Sequence, residues 1–285
     1  MTAAAVGAAN VAAPTVSMLG TVKHYEQVVA LDGVDLELLP GRVHAVVGEN
    51  GAGKTTLMQI LAGHIEADGG RIVVGGRETR IGSVADAQRH GIAMVHQHFM
   101  LFPSLTVAEN LTIGREPRRR GLFDRDAARR IVTGLSDRYG LGVDPDARVG
   151  TLSVGALQRL EILRALYRAA AILILDEPTA VLTPQEADRL FETIRGLAAD
   201  GRTIVFVSHH LDEVLEHADQ ITVLRDGRVT ADLPSAATDV RSLARAMVGR
   251  DVIVDLERPA VERGRPVLEL HGVRADGLGL IDLAG

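Results

Sequence analysis

Cysteine and tryptophan are absent from this chain, and its aromatic complement is limited to three tyrosines and five phenylalanines. Without cysteine, neither a disulfide framework nor a thiolate metal site can form, which is compatible with a reducing cytoplasm. An excess of positive charge is missing too: 31 Lys and Arg against 37 Asp and Glu leave a formal charge of -6. That balance offers no general attraction to nucleic acid, and the one dense basic cluster, Arg115 with Arg118 to Arg120, reads as a solvated loop. Beyond the first 16 residues no uncharged apolar run approaches the roughly 18 residues of a spanning helix. The clearest, Ala169 to Leu175, is closed off by Arg168 and Asp176. The first 16 residues are Ala-rich and carry no Lys or Arg, so they lack the charged start of a secretory signal and read as a loose tail. Any role at a membrane is expected to come through partners.

What is present points to a globular protein. Apolar residues make up 46% and charged residues 24% of the 285, and the length exceeds one average domain. Short β-rich pieces from Ser17 to Val47, broken at Asp32-Gly33 and Pro40-Gly41, predict hairpins leading into a buried strand at Val43 to Val47. A helix is expected over Thr55 to Ala62, then strands at Ile72 to Val74 and Ile92 to Val95, with Gly69-Gly70 and Gly75-Gly76 as turns. The stretch from about Val107 to Leu166 reads as mainly helical. Strand signals return at Ile172 to Leu175 and Thr203 to Val207, separated by a helical Pro184 to Leu197. That alternation predicts an α/β fold with a parallel sheet and crossover helices. A hairpin, Ile221 to Val229 turning at Asp226-Gly227, and a helix near Val240 to Met247 complete an expected domain over residues 17–250. Residues 251–266, holding Pro259 and Pro266, read as a linker. Residues 267–285 echo the sequence near Met18 to Leu38 and suggest the start of a second copy.

Three short motifs carry chemistry. Gly48 to Thr55 fits the pattern GxxxxGK[ST] between an apolar strand and a helix. In such a loop Gly48, Gly51 and Gly53 let backbone N–H groups converge on phosphate oxygens, Lys54 neutralises the terminal phosphates, and the Thr55 hydroxyl suits Mg²⁺. Asn50 and Thr56 belong to the same candidate cradle. The run Ile172 to Pro178 ends a buried strand in two acids; Asp176 could hold a Mg²⁺ shell and Glu177 could take a proton from an attacking water. Taken alone, a strand ending in Asp-Glu is more often a helix cap or a surface turn. Ser153 and Gly155 precede a periodic helix whose N-terminus could meet a phosphate, and the same residues are also plain capping chemistry.

Taken together and in this order, the motifs of Met18 to Val248 resemble the nucleotide-binding subunits of ABC transporters. GENGAGKTT resembles the Walker A loop, ILILDE Walker B and LSVGA the signature sequence; MVHQHF resembles the Q-loop with Gln97 as its glutamine, and VSHHLDEV the switch region with His209 as its histidine. Tyr25 falls where the family places an aromatic that stacks on adenine. The resemblance implies a P-loop NTPase with a RecA-like parallel core sheet, an antiparallel β subdomain and an α-helical subdomain over about residues 98–166. It implies ATP and Mg²⁺ as cofactors, with Glu177 as general base, His209 at the γ-phosphate, and Gln97 at the metal and the attacking water. Two such domains would close head to tail over ATP at the cytoplasmic face of the membrane. Their partners would be integral membrane permease subunits, a second ATPase domain in tandem or as a dimer and, indirectly, a solute-binding protein, with no nucleic acid. Outside the family context Gln97 reads as a strand-end polar group, His209 or His210 as a helix cap, and Tyr25 as a packed surface ring.

The departures from the family pattern are specific. Val154 and Ala156 stand where the signature has Gly and Gln, and Thr183 where many relatives have Asp. The valine and the wording TAVLTPQE resemble the ATPases of simple-sugar and nucleoside importers, and HQHF in place of HQEL points to the nucleoside branch. That subgroup usually carries two ATPase domains, which makes a truncated tandem protein the expected reading of the echo at 267–285. The apolar Phe99 to Leu105 suits docking on membrane subunits. A soluble ABC protein acting on ribosomes or DNA is the rival reading; the acidic balance and the lack of a basic insertion weigh against it.

Overall fold

A computed structural model of the chain describes residues 15–96 and 99–249. The antiparallel layer is built from β1 (Val16–Tyr25), β2 (Val28–Leu38), β4 (Gly69–Val74) and β5 (Arg77–Thr79), in the order β2-β1-β4-β5. The second sheet contains β3 (Val43–Val47), β6 (Ile92–Val95), β9 (Ile172–Asp176), β10 (Thr203–Val207), β11 (Gln220–Arg225) and β12 (Arg228–Pro234), ordered β12-β11-β3-β10-β9-β6. All its neighbouring pairs are parallel except the β11–β12 hairpin at one edge. Strands β3, β9 and β10 are buried at every position. That is why, His44 apart, they read as largely apolar runs: helices or a second sheet cover both faces.

Side-chain alternation divides the core. Val43, Ala45, Leu173, Leu175, Ile204 and Phe206 face one apolar cluster, shared with the helices α3 (Val107–Thr112), α4 (Arg125–Tyr139), α5 (Val154–Tyr167) and α6 (Pro184–Ala199). Val46, Ile172, Ile174, Val205 and Val207 face the other, shared with α1 (Lys54–Leu61) and the antiparallel layer. The period of two in a strand therefore decides which side of the sheet each residue supports. Short α2 (Val84–Arg89), α7 (Leu211–His217) and α8 (Val240–Val248) complete the helices, and β7 (Arg118–Arg119) pairs with β8 (Leu122–Phe123) in a small hairpin.

Parallel strands at β3, β6, β9 and β10 agree with the sequence reading, and four other details differ. Asp32-Gly33 is not a chain reversal but sits inside β2, where the register with β1 shifts between Thr21↔Val34 and Lys23↔Leu31. The left-handed Gly33 (φ 71) makes a bulge there because the ladder continues on both sides. Gly69-Gly70 likewise opens β4 instead of turning; a Cβ on Gly70 would lie 2.6 Å from the Gly20 carbonyl oxygen, so the pair permits close backbone approach. The Arg118–Arg120 cluster caps the β7–β8 hairpin inside the otherwise helical middle, its side chains exposed as a solvated loop would have them. The expected tail is already in the sheet at its end: the Thr15 N–H donates to the Leu38 carbonyl at 2.7 Å and Val16 is fully buried. The expected linker and second-copy start, residues 251–285, lie outside the described residues, as does Gln97.

One buried histidine gives the fold a pH dependence. His44, on β3, is 1% exposed and its Nε2 lies 2.8 Å from the Thr222 hydroxyl. Burial drives its pKa from 6.5 down to about 4, the Asp232 carboxylate only partly opposing the fall. In the unfolded chain the imidazole takes a proton near 6.5, whereas the folded one resists until about 4. Between those values the unfolded state binds more protons, so stability falls as the pH drops through the window, by roughly 3 kcal/mol for this group. Denaturant titrations at pH 7 and pH 4.5 should therefore show a smaller loss for His44→Gln than for the wild type. Parallel losses in the two proteins would assign the acid sensitivity elsewhere.

Candidate functional site

Strand β3 ends at Val47 and the chain turns at once into the glycine loop. Gly48 is buried, and a Cβ there would lie 2.3 Å from the Leu224 carbonyl oxygen, so the β11–β12 side of the sheet leaves no room for a side chain. Asn50 and Gly51 are exposed at the tip. Gly53 precedes α1 with φ 102, and a Cβ on it would meet the Ala30 carbonyl oxygen at 2.5 Å and Leu31 Cδ2 at 2.8 Å. Gly53→Ala combines left-handed strain with that overlap and should cost roughly 1–3 kcal/mol of stability. Its thermal midpoint should drop by several degrees, and a midpoint equal to wild type would show that the loop is free to move away.

Helix α1 differs from the other long helices at its start. Side chains cap α4 (Asp124), α5 (Ser153), α6 (Thr183) and α8 (Asp239), but α1 has no side-chain cap and no acid in its first turn. Its first N–H groups are thus left for an anion, with the helix dipole adding positive potential. Thr55 is exposed and Thr56 half-buried on that first turn. Lys54 is 6% exposed and folds back so that Nζ donates to the carbonyl oxygens of Gly48 at 2.8 Å and Glu49 at 2.9 Å. Burial lowers its pKa, and the carboxylates of Glu177 and Asp176 oppose that fall.

Those carboxylates stand at the end of β9, two strands from β3 across β10. Asp176 is 9% exposed; burial, then repulsion from Glu177, raises its pKa, and Lys54 pulls it back. Glu177 has φ 46, an uncommon conformation for a side chain other than glycine, and its N–H is held by the Val207 carbonyl at 3.0 Å. From the end of β10, His209 Nδ1 reaches Glu177 Oε1 at 3.3 Å. Two neighbouring strands thus bring together an acid pair and an imidazole, and Lys54 lies within electrostatic reach of the acids. A buried carboxylate pushed toward protonation beside a second acid suits a divalent cation that brings further positive charge. The hydroxyl of Thr55 and the Asp176 carboxylate are hard oxygen ligands of the kind Mg²⁺ takes. No cluster of three or more His, Asp or Glu that could hold a metal alone occurs among the described residues, so such an ion would need phosphate oxygens to complete its shell.

The other expected site residues are placed differently. The Ser153 hydroxyl accepts the Ala156 N–H at 3.3 Å and caps α5, so in the isolated chain the capping reading is the one observed. A Cβ at Gly155 would fall 2.5 Å from Glu186 Oε1, which packs α5 against the start of α6. Among the described residues no hydrogen bond or ion pair joins Ser153 or Gly155 to the glycine loop. Tyr25 ends β1, 43% exposed, with Lys23 Nζ 5.6 Å from its ring centre, and it pairs with Val28 two residues before the Ala30 that backs Gly53. The His210 side chain makes no cap hydrogen bond to α7.

One supporting contact was not legible in the sequence: the Gly227 N–H donates to the Ala52 carbonyl at 3.2 Å, so the tip of the β11–β12 hairpin braces the glycine loop. Asp226-Gly227 signalled only its own turn, and nothing local says what a turn will touch.

A separate surface lies over residues 99–105. Leu101 packs on the core, whereas Met100 and Phe102 are 64% and 53% exposed. Their backbone is fixed from beneath: the Met100 N–H donates to Glu161 at 2.9 Å, Arg164 donates to the Met100 carbonyl at 2.8 Å, and the Asn110 side chain holds both the N–H and the carbonyl of Phe102. A rigid loop that turns two large apolar side chains outward has the character of an interaction site.

Comparison with known proteins agrees with this geometry. The family model described as ABC transporter matches residues 31–180. A protein named ribose import ATP-binding protein RbsA 1, from Rubrobacter xylanophilus, is 48% identical over 265 residues, covering 93% of this chain and 53% of that protein. The nucleoside import ATP-binding protein NupA of Lactococcus lactis is 44% identical over 255 residues, 90% of this chain and 50% of that one. The chain spans about half the length of the curated relatives it matches. Among solved structures, a nucleotide-free ATP-binding cassette from an ABC transporter aligns with a TM-score of 0.73 at 25% identity, over 83% of this chain and 100% of that one. The chain belongs to the ABC transporter family.

Proposed function

We propose that this chain is the ATP-binding and hydrolysing domain of an ABC importer. The observation that carries the reading is the convergence of an uncapped helix start, Lys54, the Asp176–Glu177 pair and His209 at the ends of adjacent parallel strands. When ATP binds, the N–H groups of the glycine loop and of α1 take the phosphate oxygens, and Lys54 exchanges its loop carbonyls for them. Tyr25, exposed at the end of β1, offers its ring to the adenine. Thr55, Asp176 and Gln97 are the residues that would hold Mg²⁺, which supplies neutralising charge across the phosphates. Glu177 accepts a proton from the attacking water, and His209, already against its carboxylate, contacts the terminal phosphate. Positioning and electrostatics carry most of the rate enhancement in phosphoryl transfer, so Lys54 contributes most by its charge.

Ser153 and Gly155 act in trans. Among the described residues they share no hydrogen bond or ion pair with the chain's own glycine loop, so the phosphate they serve is one bound to a second ATPase domain closing head to tail. The names of RbsA 1 and NupA support import as the direction. Met100 and Phe102 are the surface for integral membrane permease subunits, which puts the domain at the cytoplasmic face of the membrane and makes any solute-binding protein an indirect partner. No described helix is long and apolar enough to cross a membrane.

For the solute we favour a nucleoside, on the His98-Phe99 wording that follows Gln97. The 48% identity to a protein named for ribose import supports free ribose as the second reading. Both share a ribose ring. Uptake of labelled purine nucleoside and of labelled ribose, in cells lacking the gene and in cells restored with the full-length protein, separates them. Loss of nucleoside uptake alone supports the first reading, loss of ribose uptake alone the second, and loss of neither rejects both.

A further inference from the structure

Two contacts, not one, join the turn after β9 to the turn after β10. The first is Glu177 with His209 at 3.3 Å. The second lies deeper: Thr179, 8% exposed, donates its hydroxyl hydrogen to Glu213 Oε2 at 2.8 Å. Glu213 sits in the first turn of α7, four residues after His209, and the next residue, Val214, is fully buried and anchors the helix. Thr179 lies two residues after Glu177 in a tight segment where Ala180 N–H reaches the Glu177 carbonyl at 3.3 Å and Leu182 N–H the Thr179 carbonyl at 3.0 Å. On the other side, the His210 N–H is held by the Ser208 hydroxyl at 3.0 Å and the His210 carbonyl accepts the Val214 N–H at 3.2 Å. The two segments are therefore stiff, and the two contacts close a ring running from Glu177 through Thr179, Glu213 and His209 back to Glu177.

We propose that Glu213, acting through Thr179, is a positioning residue that sets the Glu177 carboxylate against the His209 imidazole. The proposal rests on the hydrolytic roles given above to Glu177 and His209. The physical case is one of constraint. Glu177 occupies a positive-φ conformation (φ 46), which persists only where its surroundings over-determine it. Its N–H bond to Val207 fixes one end of the turn, and the Thr179–Glu213 bond fixes the other. His209, 47% exposed at its side chain, is held by the ring of His210, 4.2 Å away at the start of α7, and by Glu177, so a shift of α7 is passed to its imidazole. The bond between the buried Thr179 hydroxyl and the half-buried Glu213 carboxylate is short, at 2.8 Å, and directional, which suits it to hold geometry. Neither residue is near enough to the glycine loop to share a hydrogen bond with it, so the effect falls on the chemical step and leaves ATP capture alone.

The test is steady-state ATP turnover by the full-length protein, alongside ATP affinity and thermal midpoint. Thr179→Val and Glu213→Ala should each lower kcat at least about tenfold, since small misplacements of reacting groups cost that much or more. KM for ATP and ATP affinity should stay within about twofold of wild type. Thr179→Ser keeps the donor and Glu213→Gln keeps the acceptor, so both should recover most of the turnover. The double variant Thr179→Val with Glu213→Ala should be no slower than the slower single one, because both remove the same bond. Should Thr179→Val fail to fold, Glu213→Ala at its half-buried position carries the test. Turnover of Thr179→Val or Glu213→Ala within twofold of wild type, a Thr179→Ser as slow as Thr179→Val, additive losses in the double variant, or losses that follow the thermal midpoint would each overturn the proposal. A wild-type protein that binds ATP without turning it over would overturn the hydrolytic reading, and this one with it.

Discussion

Glu177→Gln in the full-length protein is expected to bind ATP as tightly as wild type and to hydrolyse it about 100- to 10,000-fold more slowly, the span over which a positioned general base contributes. The substitution is close to isosteric, so the bond from the Glu177 N–H to Val207 and the φ 46 conformation can both survive it. What disappears is the negative oxygen that accepts the water proton. Removing a charge beside Asp176 also relieves the repulsion that helps raise the Asp176 pKa, and it takes away one of the carboxylates that draw on Lys54. Nucleotide binding should therefore be unchanged or slightly stronger, not weaker. The measurement is the fraction of ATP that remains unhydrolysed and bound after incubation with Mg²⁺. A variant that turned over at the wild-type rate would remove Glu177 from the role of base and leave His209, whose Nδ1 is 3.3 Å away, as the group to examine.

That prediction draws on residues which the sequence made legible, and the reason is physical. The glycine loop, the strand before it and the uncapped helix after it are contiguous in the chain, so a local pattern contains the whole of the proposed phosphate cradle. Strands β3, β9 and β10 announced themselves because burial on both faces demands largely apolar runs, His44 being the polar exception inside them. The juxtaposition of Glu177 with His209 is of another kind. It depends on β9 and β10 being neighbours in register, Asp176 beside Val207, and periodicity carries no information on which strands pair. The order of the motifs made it an expectation only through family resemblance. The same limit explains Asp32-Gly33: its dipeptide chemistry correctly marks a left-handed backbone, yet whether the chain reverses there or bulges is decided by the β1 ladder on either side. Ser153 shows the converse, since its capping bond within α5 is local and visible whereas any partner phosphate lies beyond one chain. Glu213 stood in plain view beside the switch histidine. Its contact with Thr179, 34 residues earlier, had no local signal at all.

Lys54→Met should have the other large effect, and on a different quantity. Lys54 interacts electrostatically with two carboxylates, one of them 9% exposed, and it is itself 6% exposed. Its ammonium is satisfied by the carbonyls of Gly48 and Glu49, so the loop is shaped around a charge that the proposed role redirects to phosphate. Methionine retains the length and apolar stem but neither the charge nor the donors. Two consequences then oppose ATP. The terminal phosphates approach Asp176 and Glu177 with no compensating cation from the protein, and the two loop carbonyls lose their donor, which frees the loop from its open shape. Losing one electrostatic stabiliser of a developing charge typically costs about 100- to 1,000-fold in rate, and here the same group also serves ground-state binding. The variant should therefore lose turnover by about 1,000-fold and, unlike Glu177→Gln, should lose ATP binding with it. Ligand-induced stabilisation separates the two variants cleanly, because ATP at about one hundred times the wild-type Kd stabilises a competent protein by about 2.7 kcal/mol. Wild type and Glu177→Gln should show that shift in thermal midpoint and Lys54→Met should show almost none. A full shift in Lys54→Met would mean that the N–H groups of the loop and of α1 hold the phosphates unaided, and that the charge of Lys54 is spent only on the transition state.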